Sequence, residues 1–297
     1  MTATPAQLIA SIAQLRRTLG EVRGRGQSIA LVPTMGALHD GHGRLIENAR
    51  RESDCVVVSI FVNPIQFDRH DDFDRYPRPL SKDVAFCAAR GVPVVFAPPV
   101  EEMYPRPQSA FVEVTRVTDH LCGQFRPGHF RGVATVVLKL LNIVQPDRAY
   151  FGEKDAQQLA VIRRLVDDLN VPVKIVEVPT VREADGLAIS SRNQYLNEEE
   201  RRVATVLHQA LRRAETLIAA DTKHAAEIRK EVLPLFEGHP EVRLEYFEIV
   251  DPDDMQPVDR ISGTVRIAGA IWIGTTRLID NMLCRPLGSK AGSAPAP

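Results

Sequence analysis

The stretch Pro33-Thr34-Met35-Gly36-Ala37-Leu38-His39-Asp40-Gly41-His42 lies between two segments of different hydrophobic periodicity. Residues 29–32 form a short β-prone run, whereas residues 44–50 carry apolar side chains at helical spacing. This order predicts a strand, a glycine-rich turn and a helix. Gly36 and Gly41 let the backbone approach a ligand closely, and the helix that begins near Gly41 offers unpaired N–H groups to an anion. The stretch is therefore a candidate phosphate-binding site.

His39 and His42 lie three residues apart in this stretch, so both imidazoles can face one ligand. There they could donate hydrogen bonds to charge that develops on a transferring phosphoryl group. A metal pair is the first alternative, but the helical zinc pair has its histidines four residues apart with a Glu beside one of them. Two loop histidines without a functional role are the second alternative. The flanking glycines and the strand-to-helix context favour the phosphate interpretation.

The composition is that of an ordinary globular protein of 297 residues, 44% of them hydrophobic. Its 37 Lys and Arg and 38 Asp and Glu leave a formal net charge of -1 and no block of like charge, which argues against a nucleic-acid partner. No apolar stretch is long enough to span a membrane, and residues 7–17 predict an amphipathic helix rather than a signal sequence. The cysteines are dispersed without a CxxC pair, which is typical of reduced thiols. We expect a cytoplasmic enzyme.

Strand and helix patterns alternate from the first motif to about residue 180, which predicts an α/β fold with a Rossmann-like, doubly wound parallel sheet. Residues 55–62 are a β-branched run typical of a strand buried on both faces. Further strands are predicted at 92–97, 111–114, 148–152 and 173–178, and further helices at 81–90, at 133–144 and up to residue 170.

Polar residues follow several of these predicted strands, where open α/β sheets bind their ligands. Asn63 and Gln66 lie directly after the 55–62 strand, although an Asn-Pro turn needs no function. Lys154 lies at another strand-to-helix junction, in position to reach nucleotide phosphates, and Gln158 follows one turn later. The neighbouring Asp155 would serve equally well as a simple N-cap.

Two loops carry further candidates. Arg126 and His129 flank a Pro-Gly turn that could fold over an anion, and a solvated turn is the alternative. Ser190, Ser191 and Arg192 form a compact set of donors for phosphate oxygens, and ordinary polar surface is the alternative.

Beyond residue 197 the alternation stops, and the sequence predicts a smaller α+β unit. Its predicted helices span about 198–220 and 225–236, and its β-prone runs are 242–250, 264–273 and 275–283. The predicted organisation is a nucleotide- and substrate-binding domain at 1–183, a smaller helical and antiparallel domain at 184–287, and a disordered tail at 288–297.

Five separated motifs resemble one family: MGALHDGH (35–42), NPIQF (63–67), HFRGVATVV (129–137), FGEKDAQQL (151–159) and DGLAISSRN (185–193). The first resembles the HxGH signature of the nucleotidylyltransferase superfamily, and all five together resemble the pantothenate synthetase family. That resemblance implies ATP-dependent condensation of pantoate with β-alanine through a pantoyl-adenylate, with release of AMP and pyrophosphate. It implies ATP and Mg²⁺ as the required small molecules, and a homodimer. The alternatives are another HxGH nucleotidylyltransferase and a catalytically silent nucleotide-binding regulator.

The resemblance also implies roles for individual residues. The implied catalytic residues are His39, His42, Lys154 and Arg192, with the histidines, both basic side chains and magnesium supplying the positive charge that attack of one anion on another requires. The implied ATP-binding residues are Met35, Gly36, Ala37, Leu38, His39, Asp40, Gly41, His42, Gly152, Glu153, Lys154, Asp155, Val181, Ile189, Ser190, Ser191 and Arg192. The implied substrate-binding residues are Gln66 and Gln158, followed by Asn63, Arg126 and His129.

Asp83 is the candidate magnesium ligand. Some relatives carry further polar residues around this position, whereas this chain has Lys82 and Phe86 there. The resemblance then implies a metal held mainly by phosphates and water.

Overall fold

A parallel sheet of six strands organises the amino-terminal part of the chain. The computed structural model describes residues 6–67 and 70–286, with the side chains of residues 70–72 left out. The strands are β1 (Gln7–Ile9), β2 (Ile29–Thr34), β3 (Cys55–Ile60), β4 (Val94–Phe96), β5 (Arg148–Gly152) and β6 (Lys174–Val178), in the spatial order β1-β4-β3-β2-β5-β6. Every pair is parallel. The predicted α/β fold with a doubly wound parallel sheet is confirmed.

Helices alternate with these strands. They are α1 (Ile12–Gly24), α2 (Asp40–Glu52), α3 (His70–Arg75), α4 (Leu80–Ala89), α5 (Val100–Met103), α6 (Cys122–Phe125), α7 (His129–Val144) and α8 (Ala156–Asp168). Ala30 and Val32 of β2 pack with Leu45 and Ile46 of α2 in one buried cluster. Successive strand residues point to opposite faces, so Leu31, which is also fully buried, faces the other side of the sheet. The sheet is therefore covered on both faces.

The strand order contains a topological switch point between β2 and β5. These strands are neighbours, with Ala30 opposite Arg148 and Leu31 opposite Ala149. From β2 the chain continues to β3 on one side, and from β5 it continues to β6 on the other side. Ligands of open α/β sheets bind in the crevice outside the carboxyl ends of two such strands. The turns that follow β2 and β5 both lie at this crevice.

The carboxy-terminal part is the predicted smaller α+β arrangement. Its helices are α9 (Glu198–Val203), α10 (Val206–Ala219) and α11 (Ala225–Glu237), and its strands are β7 (Val242–Val250), β8 (Val265–Ile273) and β9 (Thr276–Cys284). The strands form an antiparallel sheet in the order β7-β8-β9. Leu211 of α10 and Ile228 of α11 share a buried cluster with Phe247 and Ile267 of the sheet.

The chain divides into two compact units. Among the described residues, the first unit comprises those up to Thr118, Cys122–Val181 and Ile189–Ser191, and the second comprises Asp119–Leu121, Arg182–Ala188 and those from Arg192 onward. The domain limits 1–183 and 184–287 stay predictions, and the predicted tail at 288–297 lies outside the described residues. Within the described ranges, no helix combines the length and the apolar character needed to cross a membrane.

The predicted helix over residues 7–17 is wrong at its start. Gln7–Ile9 instead pairs with β4 as a parallel edge strand. The helix begins at Ile12, and the Ser11 side chain caps it by accepting a hydrogen bond from the Gln14 N–H. Residues 7–9 form a strand because they pair with β4, almost ninety residues away. Local periodicity contains no signal for such a partner.

Two other predicted elements differ in the structure. Residues 111–114 are not a strand, and the Val112 N–H donates to the Thr135 hydroxyl instead of to a neighbouring strand. The predicted helix over 198–220 is two helices, α9 and α10. The capping box of Asn197 and Glu200 starts the first of them.

Candidate active site

The turn after β2 has a backbone that only certain residues adopt easily. Gly36 has a φ of 87° and Ala37 a φ of 50°, both in the left-handed region. A Cβ on Gly36 would lie 3.0 Å from Asp83 Oδ2 and 3.1 Å from a methyl carbon of Ile60. The Thr34 hydroxyl accepts from the Gly36 N–H at 3.1 Å. Glycine is therefore favoured here by its conformation, and a side chain would also crowd Asp83 and Ile60.

Asp83 on α4 holds this turn in place. One carboxylate oxygen accepts from the Ala37 N–H at 2.9 Å and the other accepts from the Leu38 N–H at 2.8 Å. Asp83 is only 3% exposed, and this burial raises the pKa of its carboxyl against the opposing effect of the two N–H groups. Both oxygens are thus engaged with the backbone. The part of the chain that the structure describes contains no group of three or more His, Cys, Asp or Glu side chains arranged to hold a metal ion.

The two histidines stand together at the start of α2. Their ring centroids are 4.1 Å apart, and the His39 N–H donates to His42 Nδ1 at 3.3 Å. Because Nδ1 accepts this bond, the neutral His42 ring carries its proton on Nε2. The Nε2–H is the donor that remains for a ligand. His39 occupies the N-cap position, and its Nδ1 is buried without a hydrogen-bond partner.

Burial keeps both rings neutral. It is the main cause that lowers the pKa of His39 to about 4, and the charge of Lys154 lowers it further. Burial also holds the pKa of His42 well below its ordinary value, with His39 and Lys154 adding to the effect. Both rings are therefore neutral hydrogen-bond donors. The expectation that they supply positive charge to bound ATP stays a prediction.

Lys154 lies in a 3₁₀ turn, Glu153–Asp155, that directly follows β5. The turns after β2 and β5 lie at one crevice because these strands are parallel neighbours, and the charge of Lys154 lowers the pKa of both histidines. Asp155 occupies the N-cap position of α8 but makes no side-chain cap hydrogen bond. Gln158 is partly buried on the first turn of that helix, and Gly152 ends β5.

Gln66 and Asn63 form a buried amide pair after β3. Asn63 Nδ2 donates to Gln66 Oε1 at 2.9 Å and to the Gly132 carbonyl at 3.2 Å. The Tyr104 hydroxyl donates to Asn63 Oδ1 at 2.8 Å, and Gln66 Nε2 donates to Met35 Sδ at 3.2 Å. Both polar atoms of the Asn63 amide thus have protein partners. Its predicted place in direct contact with a substrate stays a prediction, and its observed contact is with Gln66.

His129 and Arg126 meet beside this pair. His129 Nδ1 lies 2.8 Å from the Gln66 carbonyl oxygen, and Arg126 Nη1 lies 3.3 Å from His129 Nε2. A carbonyl only accepts and a guanidinium only donates, so the proton of the neutral His129 ring is on Nδ1. The structure thus brings Gln66, Asn63, His129 and Arg126 into one hydrogen-bonded group.

The predicted phosphate loop is divided between the two units. Val181, Ile189, Ser190 and Ser191 belong to the first unit, where the Ile189 N–H donates to the Val181 carbonyl at 3.0 Å. Arg192 belongs to the second unit. Its predicted contact with a nucleotide stays a prediction.

The comparisons with known proteins match nearly the whole chain. The model of the family described as pantoate-beta-alanine ligase matches residues 7–283. The chain belongs to this family. A pantothenate synthetase of Moorella thermoacetica is 53% identical over 277 residues, covering 93% of this chain and 98% of the relative. Another, of Sinorhizobium medicae, is 53% identical over 283 residues, covering 95% and 97% of the two chains.

Solved structures of this family share the fold. The crystal structure of pantothenate synthetase from Thermus thermophilus matches with a TM-score of 0.88 at 45% identity, covering 93% of this chain and 98% of that one. A pantoate-beta-alanine ligase from Francisella tularensis, complexed with beta-gamma ATP and beta-alanine, matches with a TM-score of 0.78 at 35% identity, covering 94% and 97%.

Three features of the pantoate-beta-alanine ligase site are missed by reasoning from the sequence. Asp83 is predicted there as a metal ligand, whereas its contact with the turn at Ala37 and Leu38 is not predicted. Tyr104 has no predicted role within its proline-rich loop. Gly132 is overlooked, although it stands inside a quoted motif and a Cβ there would lie 2.3 Å from the Ile65 carbonyl oxygen. Each feature depends on a partner distant in the chain.

The lowered pKa of His39 predicts a pH dependence of stability. Its value of about 4 in the folded protein lies below the ordinary 6.5, so the unfolded chain binds more protons between these values. Stability from this group is therefore complete above about pH 6.5 and is lost as the pH falls toward 4. We expect the free energy of unfolding of the wild type to fall more steeply over this range than that of His39→Gln. Urea unfolding at several pH values measures this, and parallel curves would contradict it.

Proposed function

We propose that this chain joins (R)-pantoate to β-alanine, with ATP cleaved to AMP and pyrophosphate through a pantoyl-adenylate. The observation that carries the proposal is the crevice at the switch point, where a glycine turn, two neutral histidines and Lys154 converge. Membership of the pantoate-beta-alanine ligase family names the reaction. The product is pantothenate, an intermediate on the route to coenzyme A.

ATP is proposed to lie across the two turns. Residues 35–42 would receive the phosphates at the amino terminus of α2, where unpaired N–H groups and the helix dipole favour an anion. Residues 152–155 and Val181 would hold the adenosine. Residues 189–192 would close over the nucleotide, with Arg192 engaging two phosphate oxygens. The crystal structure of the Francisella tularensis relative, complexed with beta-gamma ATP, supports nucleotide binding by this chain.

In the first step the pantoate carboxylate attacks the α-phosphorus and pyrophosphate leaves. Lys154 and Arg192 would supply the positive charge for this meeting of two anions. His42 Nε2–H and the backbone N–H groups of the first turn of α2 would donate hydrogen bonds to the phosphoryl oxygens. Bound reactants held in line lower the entropic part of the barrier.

Pantoate is proposed to bind beside the nucleotide, gripped by Gln66 and Gln158. Arg126 and His129 border the same region, joined to Gln66 through the carbonyl that His129 contacts. Asn63 supports Gln66 in this proposal, because its amide is engaged within the protein.

In the second step the neutral amine of β-alanine attacks the adenylate carbonyl carbon, and AMP leaves. This step requires the adenylate to be shielded from water, which is the role we propose for residues 190–192. The reaction needs no enzyme nucleophile. The cysteines Cys55, Cys87, Cys122 and Cys284 are all buried, and burial raises the pKa of Cys87 and of Cys284 to about 12.

Magnesium is proposed to accompany the triphosphate, held mainly by phosphates and water. Asp83 fits poorly as a dedicated ligand because its two oxygens accept backbone N–H groups. Pantoate, β-alanine and ATP are the proposed partners, without nucleic acid or membrane. A cytoplasmic location and a homodimer complete the proposal.

Replacing Asp83 with Asn tests whether this residue holds the turn at Ala37 and Leu38 or binds a metal ion. The Asn side chain keeps one acceptor oxygen but places an NH₂ group against the other backbone N–H. One of the N–H groups of Ala37 and Leu38, in the turn proposed to bind ATP, therefore loses its hydrogen-bond acceptor. We expect the Kd for ATP to rise by about tenfold, the scale for one buried donor left unpaired. Calorimetric titration with ATP measures this, and the exposed Lys82→Gln is the matched control. An unchanged Kd together with a raised magnesium requirement would support a metal ligand instead.

The activity test mixes the protein with ATP, magnesium and pantoate, and then adds β-alanine. We expect AMP to accumulate only after this addition, with pantothenate formed in equal amount. A nucleotide-linked product that persists with β-alanine present would indicate another nucleotidylyltransferase. ATP binding without pyrophosphate formation would indicate a silent regulator.

A further inference from the structure

The amide of Gln66 is held in one orientation by a chain of contacts that ends in a main-chain carbonyl. The Gly132 carbonyl can only accept, so the Asn63 atom at 3.2 Å from it is the nitrogen. The Asn63 oxygen therefore faces Tyr104, whose hydroxyl donates to it at 2.8 Å. The second hydrogen of the Asn63 nitrogen goes to Gln66 Oε1 at 2.9 Å. Gln66 Nε2 is left as the outward donor.

The contacts around Gln66 leave its Nε2 available to a stronger acceptor and keep water away from its bond with Asn63. Nε2 meets Met35 Sδ at 3.2 Å, and a thioether is a weak acceptor that a carboxylate or hydroxyl oxygen would outcompete. Asn63 is 1% exposed and Gln66 8%, so water has little access to replace a lost bond between them. Gly132 has no space for a side chain, because a Cβ would lie 2.6 Å from Gln66 Cα. The α7 backbone therefore lies directly against the turn that carries Gln66.

Tyr104 suits the task of a permanent donor. Burial raises the pKa of its hydroxyl, so the proton stays on the oxygen. Its ring lies 6.0 Å from that of Phe61 and 4.9 Å from the Lys139 ammonium, which hold it in place. Without the hydroxyl, the Asn63 oxygen would lose its donor and the amide would lose one of the contacts that orient it.

We propose that Tyr104 is a positioning residue that acts through Asn63 to present the Gln66 N–H₂ to an oxygen of the acyl substrate. This rests on the proposed function, which places pantoate at Gln66. The group of Tyr104, Asn63 and Gln66 thereby selects a substrate with a hydrogen-bond acceptor at that position. A substrate that offers a donor there would face the Gln66 amide hydrogens.

A double-mutant cycle tests the proposal with the full chain. The variants are Tyr104→Phe, Gln66→Ala and their combination, and AMP release gives KM for pantoate and for ATP separately. We expect Tyr104→Phe to raise the KM for pantoate by about tenfold, the scale for one buried acceptor left unpaired, with the KM for ATP unchanged. In the Gln66→Ala background the same change should have no further effect. Glu101→Gln, an exposed change on the same segment, is the control and should match the wild type.

Each outcome of this experiment either supports or overturns the proposed role of Tyr104. A wild-type KM for pantoate in Tyr104→Phe, equal increases in both KM values, or an undiminished effect in the Gln66→Ala background would each overturn the proposal. If the wild type itself releases no AMP with β-alanine, the proposed function fails as well. An active wild type with an unaffected Tyr104→Phe would overturn the role of Tyr104 alone.

Discussion

Replacing Lys154 with Ala should slow adenylate formation by about 10²–10³-fold, which corresponds to about 2.7–4 kcal/mol of barrier. Both reactants are anions, and charge on the transferring phosphoryl group must be met by a positive group already in place. Since burial keeps His39 and His42 neutral, the Lys154 ammonium supplies a positive charge beside them in the crevice of the first unit. Its loss removes a stabilising charge that neither neutral ring supplies.

The measurement is pyrophosphate release in a single turnover with ATP and pantoate, before β-alanine is added. Lys174→Ala is the matched control, since this exposed lysine begins β6 at the amino-terminal edge of the sheet. The variant has a second readout, because Lys154 is one cause of the lowered pKa of His39. We expect that pKa to rise from about 4 in Lys154→Ala, as followed by NMR titration. A near-normal rate would remove Lys154 from the mechanism.

Much of the first unit could be predicted from local pattern. Residues 55–62 carry the β-branched run of a buried strand, and every residue of Cys55–Ile60 is buried in the sheet. The glycine turn at 35–42 and the junction at Lys154 are both recognisable as ends of strands. Because the sheet is parallel, their meeting follows from the strand order, which places β2 beside β5.

The residues that hold the site could not be predicted in this way. Asp83 contacts a turn 46 positions earlier in the chain, and Tyr104 contacts Asn63 at a separation of 41. Neither pair leaves a periodic signal, since each depends on how α4 and the segment after α5 return to the sheet. A sequence indicates which side chains can donate or accept, and the fold decides which of them meet.

The charge state of the histidines illustrates the same limit. The spacing of His39 and His42 predicts that both imidazoles can face one ligand, and their rings lie together, with centroids 4.1 Å apart. Their protonation depends on burial and on the neighbouring lysine, which are properties of the folded chain. The mechanism proposed above accordingly takes its positive charge from Lys154 and Arg192, with the two histidines as neutral donors.

The second large effect is expected at His42, whose two ring nitrogens have different tasks. Nδ1 accepts the His39 N–H, and Nε2 is the donor proposed to reach the phosphates. Asn places an oxygen near the position of Nδ1 and has nothing at Nε2, whereas Gln can place an N–H₂ near Nε2. We expect His42→Asn to slow adenylate formation by about 10²–10³-fold, and His42→Gln to slow it less.

Single-turnover pyrophosphate release compares these variants, and urea unfolding reports whether the start of α2 is intact. His239→Gln, a change at a half-exposed histidine that follows α11, should leave the rate unaffected. If His42→Asn reacts like the wild type, the capping acceptor at Nδ1 is the whole contribution of this residue. If Gln and Asn are equally slow while both remain folded, the donor position at Nε2 is assigned wrongly. If instead the variant with a donor near Nε2 keeps more of the rate, and the variant with an acceptor near Nδ1 keeps more of the stability, the catalytic and structural roles of His42 are separate.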